Sequence, residues 1–81
     1  MQAYLGKTAV ITGGASGVGF ALCQRFGREG MNIVVADIEQ KALDRAVATL
    51  EEDGINAIGV VTDVSDAESV QALADSAYEA F

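Results

Sequence analysis

The stretch TGGASGVG, residues 12–19, decides the fold. It consists almost entirely of small residues, and it separates a β-branched apolar run, residues 7–12, from a segment with helical spacing that begins near Gly17. The chain is 51% hydrophobic and has ample material for a core, so this gap in side chains needs another reason. The pattern favours a strand-to-helix corner at which a bulky anion approaches the backbone.

The segments around this stretch alternate between the spacing of strands and that of helices. Gly30 and Gly54 are typical stop signals for the first two helices. Ser65 and Glu68 match a capping box, which would open the third helix. In chain order, the predicted strands and helices cover residues 7–12, 17–29, 31–37, 39–53, 56–64 and 65–81.

Each predicted helix carries an apolar stripe that would pack on a sheet, with polar residues on the opposite side. The stripe residues, helix by helix, are Val18, Leu22 and Phe26; Leu43, Ala46, Val47 and Leu50; and Val70, Leu73, Ala74, Ala77 and Phe81. Because the strands between these helices are apolar throughout, both faces of the sheet are expected to be covered.

The order of elements predicts an α/β fold, a Rossmann-like doubly wound parallel sheet of which this chain forms a βαβαβα portion. Right-handed crossovers give the strand order 3-2-1. Strand 1 would then lie at an edge, although its apolar segment AVIT, residues 9–12, has none of the charges or prolines that guard exposed edges. We therefore expect residues 1–81 to be the first part of a larger domain.

Composition excludes several classes of function. A net charge of −7 disfavours binding to nucleic acid and to anionic lipid. The chain has no histidine, which removes histidine-based catalysis and the commonest zinc ligand, and no metal site is expected. No secretory signal and no membrane-spanning run are present, and Cys23 has no partner for an internal disulfide. These features predict a cytoplasmic protein.

The small-residue stretch fits a pyrophosphate. The first amides of a helix have no internal partners and carry partial positive charge. Gly13 would turn the chain sharply off the strand, Gly17 would keep side chains away from the phosphates, and Gly19 would let the helix pack tightly on the sheet. Ser16 would add a hydroxyl to a phosphate oxygen. The alternative is a structural turn that binds no ligand.

Asp37 ends the second predicted strand, where a dinucleotide fold places a carboxylate for the adenosine ribose hydroxyls. A carboxylate at this point would repel the 2′-phosphate of NADP, and neither Ser16 nor Ile38 supplies a compensating positive charge. The cofactor predicted is therefore NAD, with NADP disfavoured, and Ile38 is expected beside it. The alternative for Asp37 is a capping box with Gln40.

The segment GKTAVITGGASGVG, residues 6–19, resembles the start of the short-chain dehydrogenases/reductases, whose glycine pattern is T-G-x-x-x-G-x-G. The resemblance implies that Asp63 accepts the exocyclic amine of adenine and that the amide of Val64 contacts a ring nitrogen. It also implies that Thr12 braces the strands around the site and that Val18 touches the phosphate region. The alternative for Asp63 is a role in the turn alone.

The chain lacks the family's N-N-A-G segment, its catalytic serine and its Tyr-x-x-x-Lys pair, because neither Tyr4 nor Tyr78 is followed by a lysine at that spacing. Tyr4 is interpreted as a surface or packing residue, and Tyr78 as part of the third helix. The resemblance implies a full-length homo-oligomeric oxidoreductase that transfers hydride between NAD and a secondary alcohol or ketone. Residues 1–81 would be a partial dinucleotide-binding domain of that protein, the N-terminal half, with the catalytic half absent. The alternatives are a non-catalytic nucleotide-binding or redox-sensing module and an inert fragment.

Overall fold

The computed structural model describes residues 6–81, so Tyr4 lies outside the part that is described. Strands and helices alternate along the chain as the sequence predicts. The elements are β1 (Thr8–Thr12), α1 (Gly17–Arg28), β2 (Asn32–Asp37), α2 (Gln40–Glu52), β3 (Ala57–Val61) and α3 (Ala67–Ala80).

The three strands form one parallel sheet in which β2 lies in the middle. Val10 of β1 is paired with Val34 of β2, and Ala36 of β2 is paired with Val60 of β3. This order confirms the predicted 3-2-1 arrangement, read here from the other edge. The middle strand is the most buried element, as its unbroken apolar sequence predicts.

Alternate side chains of β2 enter separate apolar clusters on the two faces of the sheet. Ile33 and Val35 pack with Leu43 and Leu50 of α2, on the face that α1 also covers. Val34 and Ala36 pack with Leu73 of α3 on the opposite face. The predicted covering of both faces is confirmed, and burial of these side chains supplies the main stabilisation of the sheet.

The predicted stripe of α2 is confirmed, whereas that of α1 is right only for Phe26, which packs against the apolar cluster. Val18 is 79% exposed and Leu22 is 41% exposed, and Cys23 is the buried residue of α1. Small residues let this other face approach the apolar cluster: a Cβ on Gly27 would lie 2.6 Å from Cδ1 of Ile55, a buried member of that cluster. Close approach of Cys23 and Gly27 therefore outweighs the apolar spacing on which the prediction relied.

The stripe of α3 is only partly buried. Leu73 is the buried residue of this helix, whereas Val70 and Phe81 are largely exposed. An open groove of about 660 Å³ lies between β1 and α3, and its lining includes Val10, Ala77 and the C-cap residue Phe81. Val10 is exposed because, in residues 6–81, β1 pairs with β2 alone and its other edge has no neighbouring strand.

Two predicted boundaries near β3 are wrong. The strand ends at Val61 instead of continuing to residue 64. The N-cap of α3 is Asp66 and not Ser65, and the Asp66 carboxylate accepts a hydrogen bond from the Glu68 amide at 3.0 Å. Ser65 does not cap the helix because its amide and hydroxyl both donate to Asp63.

The stop signals of the first two helices behave as predicted. Gly30 follows the C-cap of α1 with φ of 91°, and Gly54 follows the C-cap of α2 with φ of 78°. Both values lie in the left-handed region that glycine adopts without strain. Within residues 6–81, no helix combines the length and the apolar character that a membrane span requires.

Candidate cofactor site

The candidate site lies at the carboxyl ends of the strands, where ligands bind to open α/β sheets. A cleft of about 200 Å³ opens there between the loop after β1 and the turns after β2 and β3. Its lining brings together half of the predicted site residues, namely Gly13, Asp37, Ile38, Asp63 and Val64. The others, Thr12, Ser16, Gly17, Val18 and Gly19, lie on the adjoining loop and at the start of α1.

Glycine is required for two different reasons in the loop between β1 and α1, residues 13–16, and in the first turn of α1. Gly13 and Gly17 have φ of 63° and 59°, and a Cβ on either would meet nothing within 4 Å. Gly19 is crowded instead, because its Cβ would lie 2.2 Å from the carbonyl oxygen of Gly13. Gly19 is thus closely packed as predicted, but its nearest contacts are with the loop backbone and not with the sheet.

The loop is tied to β2 and to α1 beneath it. The Gly14 amide donates to the Ala36 carbonyl at 3.1 Å, and the Ala15 amide donates to Oδ2 of Asp37 at 3.2 Å. The buried Cys23 thiol lies 3.8 Å from the Gly14 carbonyl, which accepts its hydrogen bond. Burial raises the pKa of Cys23 to about 11, so the thiol is neutral and its role is packing.

The first turn of α1 is open to an anion. Ser16 is the N-cap, and its side chain makes no capping hydrogen bond. The amides of Gly17, Val18 and Gly19 have no acceptor within the helix, because they belong to its first turn. Thr12, at the end of β1, is paired with Ala36 in the sheet, which fixes where the loop begins. The N-terminal end of α1, beside the loop, therefore carries partial positive charge.

Asp37 connects the loop with the start of α2. Its Oδ1 accepts from the Glu39 amide at 3.2 Å, while its Oδ2 holds Ala15. The alternative capping box with Gln40 is wrong, because Glu39 is the N-cap of α2. The side-chain amide of Gln40 donates instead to Oδ1 of Asp44 at 2.8 Å. Each carboxylate oxygen keeps a second lone pair, so Asp37 remains able to accept from hydroxyl groups.

Asp63 lies in the turn between β3 and α3. Its Oδ1 accepts from the amide of Ser65 at 2.9 Å and from the hydroxyl at 2.6 Å. These bonds, the hydroxyl first, lower the pKa of Asp63. Its Oδ2 accepts no hydrogen bond from residues 6–81. Val64, next to it, and Ile38, across the cleft, are exposed apolar side chains that suit the faces of a planar base.

Sequence reasoning missed several residues that shape the site. Gly14 is buried, and a Cβ there would lie 2.8 Å from the Ile11 carbonyl oxygen and 3.0 Å from Val35. Thr62 lines the cleft as a buried polar residue and donates to the Val60 carbonyl. The second glycine of the GG pair was the available signal for Gly14, whereas the contacts of Ala15 depend on a long-range bond with no local sequence signature.

The arrangement can bind and orient a ligand, and the ionisable side chains that line the cleft are those of Asp37 and Asp63. Tyr78 is 89% exposed on α3 and lines the groove beside β1 rather than the cleft. No cluster of three or more metal-ligating side chains occurs within the described range, residues 6–81. The chemistry available is recognition of an anion by amides, of hydroxyls by a carboxylate and of a flat base by apolar side chains.

Comparisons with known proteins agree with this geometry. The sequence profile of the short chain dehydrogenases matches residues 7–81. C alpha-dehydrogenase of Sphingobium sp. (strain NBRC 103272 / SYK-6) is 44% identical over 81 residues, which cover 100% of this chain and 27% of the relative. A short chain dehydrogenase/reductase from Burkholderia phymatum, solved in complex with NAD, superposes with a TM-score of 0.95 at 51% identity, over 100% of this chain and 29% of that one.

A second solved structure carries the other nicotinamide cofactor. L-Sorbose reductase from Gluconobacter frateurii, complexed with NADPH and L-sorbose, gives a TM-score of 0.93 at 36% identity, over 99% of this chain and 31% of that one. The chain thus spans less than a third of the length of each of these relatives. From the profile match and these similarities, the chain belongs to the short-chain dehydrogenase family.

Proposed function

We propose that residues 1–81 form the N-terminal adenosine- and pyrophosphate-binding part of an oxidoreductase that transfers hydride between NAD and a secondary alcohol or ketone. The family membership and the dehydrogenase and reductase activities named for the relatives support this reaction class. The substrate pocket and the proton-transferring groups belong to a part of the protein beyond these residues. The acidic surface and the free, buried Cys23 support a cytoplasmic location, and we expect the full-length protein to be a homo-oligomer.

The observation that carries the proposal is the bond between the Ala15 amide and Asp37. This bond brings the Asp37 carboxylate beside the loop backbone, which supports a site in which Asp37 accepts from ribose hydroxyls and the loop accommodates phosphates. In this assignment the pyrophosphate lies against Gly13 and Gly17, and the amides of the first turn of α1, including that of Val18, donate to it. The cofactor, when bound, supplies the hydride acceptor, and these residues bind and orient it.

The adenine end of the cofactor fits the cleft. Ile38 and Val64 offer apolar surface to the two faces of the base, and both are exposed in its absence. The free Oδ2 of Asp63 is an acceptor for the exocyclic amine, and the Val64 amide is a donor for a ring nitrogen. This pairing of one acceptor and one donor matches the edge of adenine.

The charge of Asp37 favours NAD over NADP. A 2′-phosphate about 4 Å from this carboxylate would cost about 4 kcal/mol per charge pair at an effective dielectric constant of 20. Ser16 and Ile38, which would flank that phosphate, carry no positive charge. We therefore expect a preference for NAD of about a hundredfold or more.

The test compares kcat/KM for NAD and NADP in the full-length protein, with a secondary alcohol as substrate. Asp37→Ser should reduce the preference for NAD by at least about tenfold, because it removes the repelling charge. Asp44→Ser is the matched control, since Asp44 is an exposed acid on α2 that contacts Gln40 and not the cleft. An unchanged ratio in Asp37→Ser would remove Asp37 from the ribose site. Tight binding of NAD without any turnover would favour the non-catalytic nucleotide-binding module.

A further inference from the structure

Ser65 makes two hydrogen bonds to the side chain of Asp63. Its amide and its hydroxyl converge on the same carboxylate oxygen, Oδ1, at 2.9 Å and 2.6 Å. Two donors on one oxygen fix the rotation of the carboxyl group. They leave the other oxygen, Oδ2, without a hydrogen bond from residues 6–81, and Asp63 is one of the residues that line the cleft.

The backbone of the same turn is fixed from α3. The Asp63 amide donates to the hydroxyl oxygen of Ser69 at 2.9 Å, and the Asp66 amide donates to the Asp63 carbonyl at 3.0 Å. On the other side, the Thr62 amide donates to the Asp37 carbonyl at 2.9 Å, which joins the turn to the end of β2. The position of Asp63 is therefore set by its neighbours on both sides, and its carboxylate orientation is set by Ser65.

We propose that Ser65 is a positioning residue for purine recognition, which holds the carboxylate of Asp63 so that Oδ2 meets a 6-amino group. The proposal rests on the proposed function, because it assumes that Asp63 contacts the adenine of the cofactor. Ser65 does not touch the base in this arrangement; it acts through Asp63. Ser69 supports the same geometry through the backbone.

The consequence is selectivity between 6-amino and 6-oxo purines. A carboxylate oxygen accepts a hydrogen bond from the amine of adenine, whereas it repels the carbonyl oxygen of hypoxanthine. The Val64 amide donates to the unprotonated N1 of adenine, and this contact is lost when N1 carries a hydrogen. A carboxylate free to rotate would turn away from the carbonyl of hypoxanthine, so loss of the Ser65 hydroxyl should weaken the discrimination.

The experiment measures dissociation constants of the full-length protein for NAD and for nicotinamide hypoxanthine dinucleotide. Wild type should prefer NAD, and Ser65→Ala should reduce this preference about three- to tenfold, less than the full value of one charge-assisted hydrogen bond because the Ser65 amide still holds Oδ1. Ser65→Thr keeps the hydroxyl and should restore the preference. The ratio compares two ligands on one sample, so partial unfolding of a variant cancels from it.

Two further variants separate the possible failures. Asp63→Asn places an amide nitrogen where Oδ2 lies, so the preference for NAD should fall further or reverse. If Asp63→Asn leaves the ratio unchanged, the assignment of Asp63 to adenine is wrong. If Asp63→Asn changes the ratio but Ser65→Ala does not, the adenine assignment stands and the positioning role is overturned. Thr49→Ala is the control, because Thr49 is an exposed hydroxyl that donates only to the Arg45 carbonyl of its own helix.

Discussion

The loop after β1 and the turn after β3 leave the same edge of the sheet, yet they are held in different ways. The loop, residues 13–16, is fixed by steric crowding at Gly19 and by a long-range bond to Asp37. The turn, residues 62–66, is held by backbone bonds to Asp37 and to the Ser69 hydroxyl, and in addition its own Ser65 side chain holds the carboxylate of Asp63. A loop that must leave its backbone open to a ligand has few side chains that could hold it. The loop after β1 is instead held by the carboxylate of Asp37, at the end of β2.

Asp37 has a structural contact in the free protein as well as a proposed role in cofactor binding. In the proposed function this carboxylate recognises ribose hydroxyls, and in the structure it already holds the Ala15 amide. Asp63 has no comparable link to the loop, because the side-chain partner of its carboxylate is Ser65, two residues away. Substitutions at the two acids should therefore differ in how far their effects spread.

The largest effect is expected from Gly19→Ala. The added Cβ would lie 2.2 Å from the Gly13 carbonyl oxygen and 2.8 Å from its carbon, so the loop or the first turn of α1 must move. We expect a loss of about 3 kcal/mol in the free energy of unfolding, as for severe overpacking, and loss of measurable NAD affinity. Urea unfolding and titration with NAD in the full-length protein measure the two effects.

Gly17→Ala is the matched comparison for this prediction. Its Cβ would meet nothing within 4 Å, so the cost is that of a left-handed φ of 59°, about 1 kcal/mol. The stability of the two variants should therefore differ clearly. Equal losses of stability would mean that the crowding between Gly19 and Gly13 does not hold the loop.

The next effect is expected from Asp37→Ala in the protein without nucleotide. Removal of the carboxylate releases the Ala15 amide, so hydrogen exchange at residues 14–16 should become about tenfold faster. NAD affinity should fall about ten- to a hundredfold, because the hydroxyl contact and the order of the loop are lost together. Exchange mass spectrometry and NAD titration give the two measurements.

Asp63→Ala is the control for this spread of effects. It should speed exchange in the turn at residues 62–66 and leave exchange in the loop at residues 13–16 unchanged, because Asp63 makes no hydrogen bond to that loop. If Asp37→Ala leaves the loop as protected as in wild type, the tie between the loop and β2 is not a functional feature of the free protein.

Elements with a strong local signature were predictable from the sequence. The apolar run of β2, the stripe of α2 and the glycine stop of each of the first two helices follow from local spacing and turn chemistry. The stripe of α1 was not predictable in this way, since Cys23 and Gly27 face the core for the close approach they permit. Tertiary packing overrode apolar periodicity at this helix.

The candidate site was predictable as a set of residues but not as a set of contacts. The glycine pattern and Asp37 predicted which backbone and which acid lie together, and the structure brings them together in one cleft and its adjoining loop. The competition between Ser65 and Asp66 for the start of α3 was not predictable, because both fit a cap by sequence. Ser65 is drawn away by Asp63, a bond that depends on where β3 ends.

The smallest effect is expected on the pH dependence of the free energy of unfolding. This effect comes from the turn after β3, through the carboxyl group of Asp63. The Ser65 hydroxyl and then its amide lower the pKa of Asp63 in the folded state, while burial opposes this only weakly. A carboxyl whose folded pKa is depressed adds stability above its unfolded pKa of about 4, and that stability is lost as the pH falls through the folded value.

Ser65→Ala should therefore lower stability slightly at pH 6, and this deficit should shrink toward pH 2 as the pH falls through the folded pKa of Asp63 and the carboxylate takes up a proton. Urea midpoints at the two pH values test this, with Asp75→Asn as a control for an exposed acid bonded only to Gln71. A deficit in Ser65→Ala that persists undiminished at pH 2 would locate its cause in packing and not in the carboxylate. A deficit confined to the higher pH would tie the stability of the turn to the same carboxylate bond that is proposed to aim Asp63 at the purine.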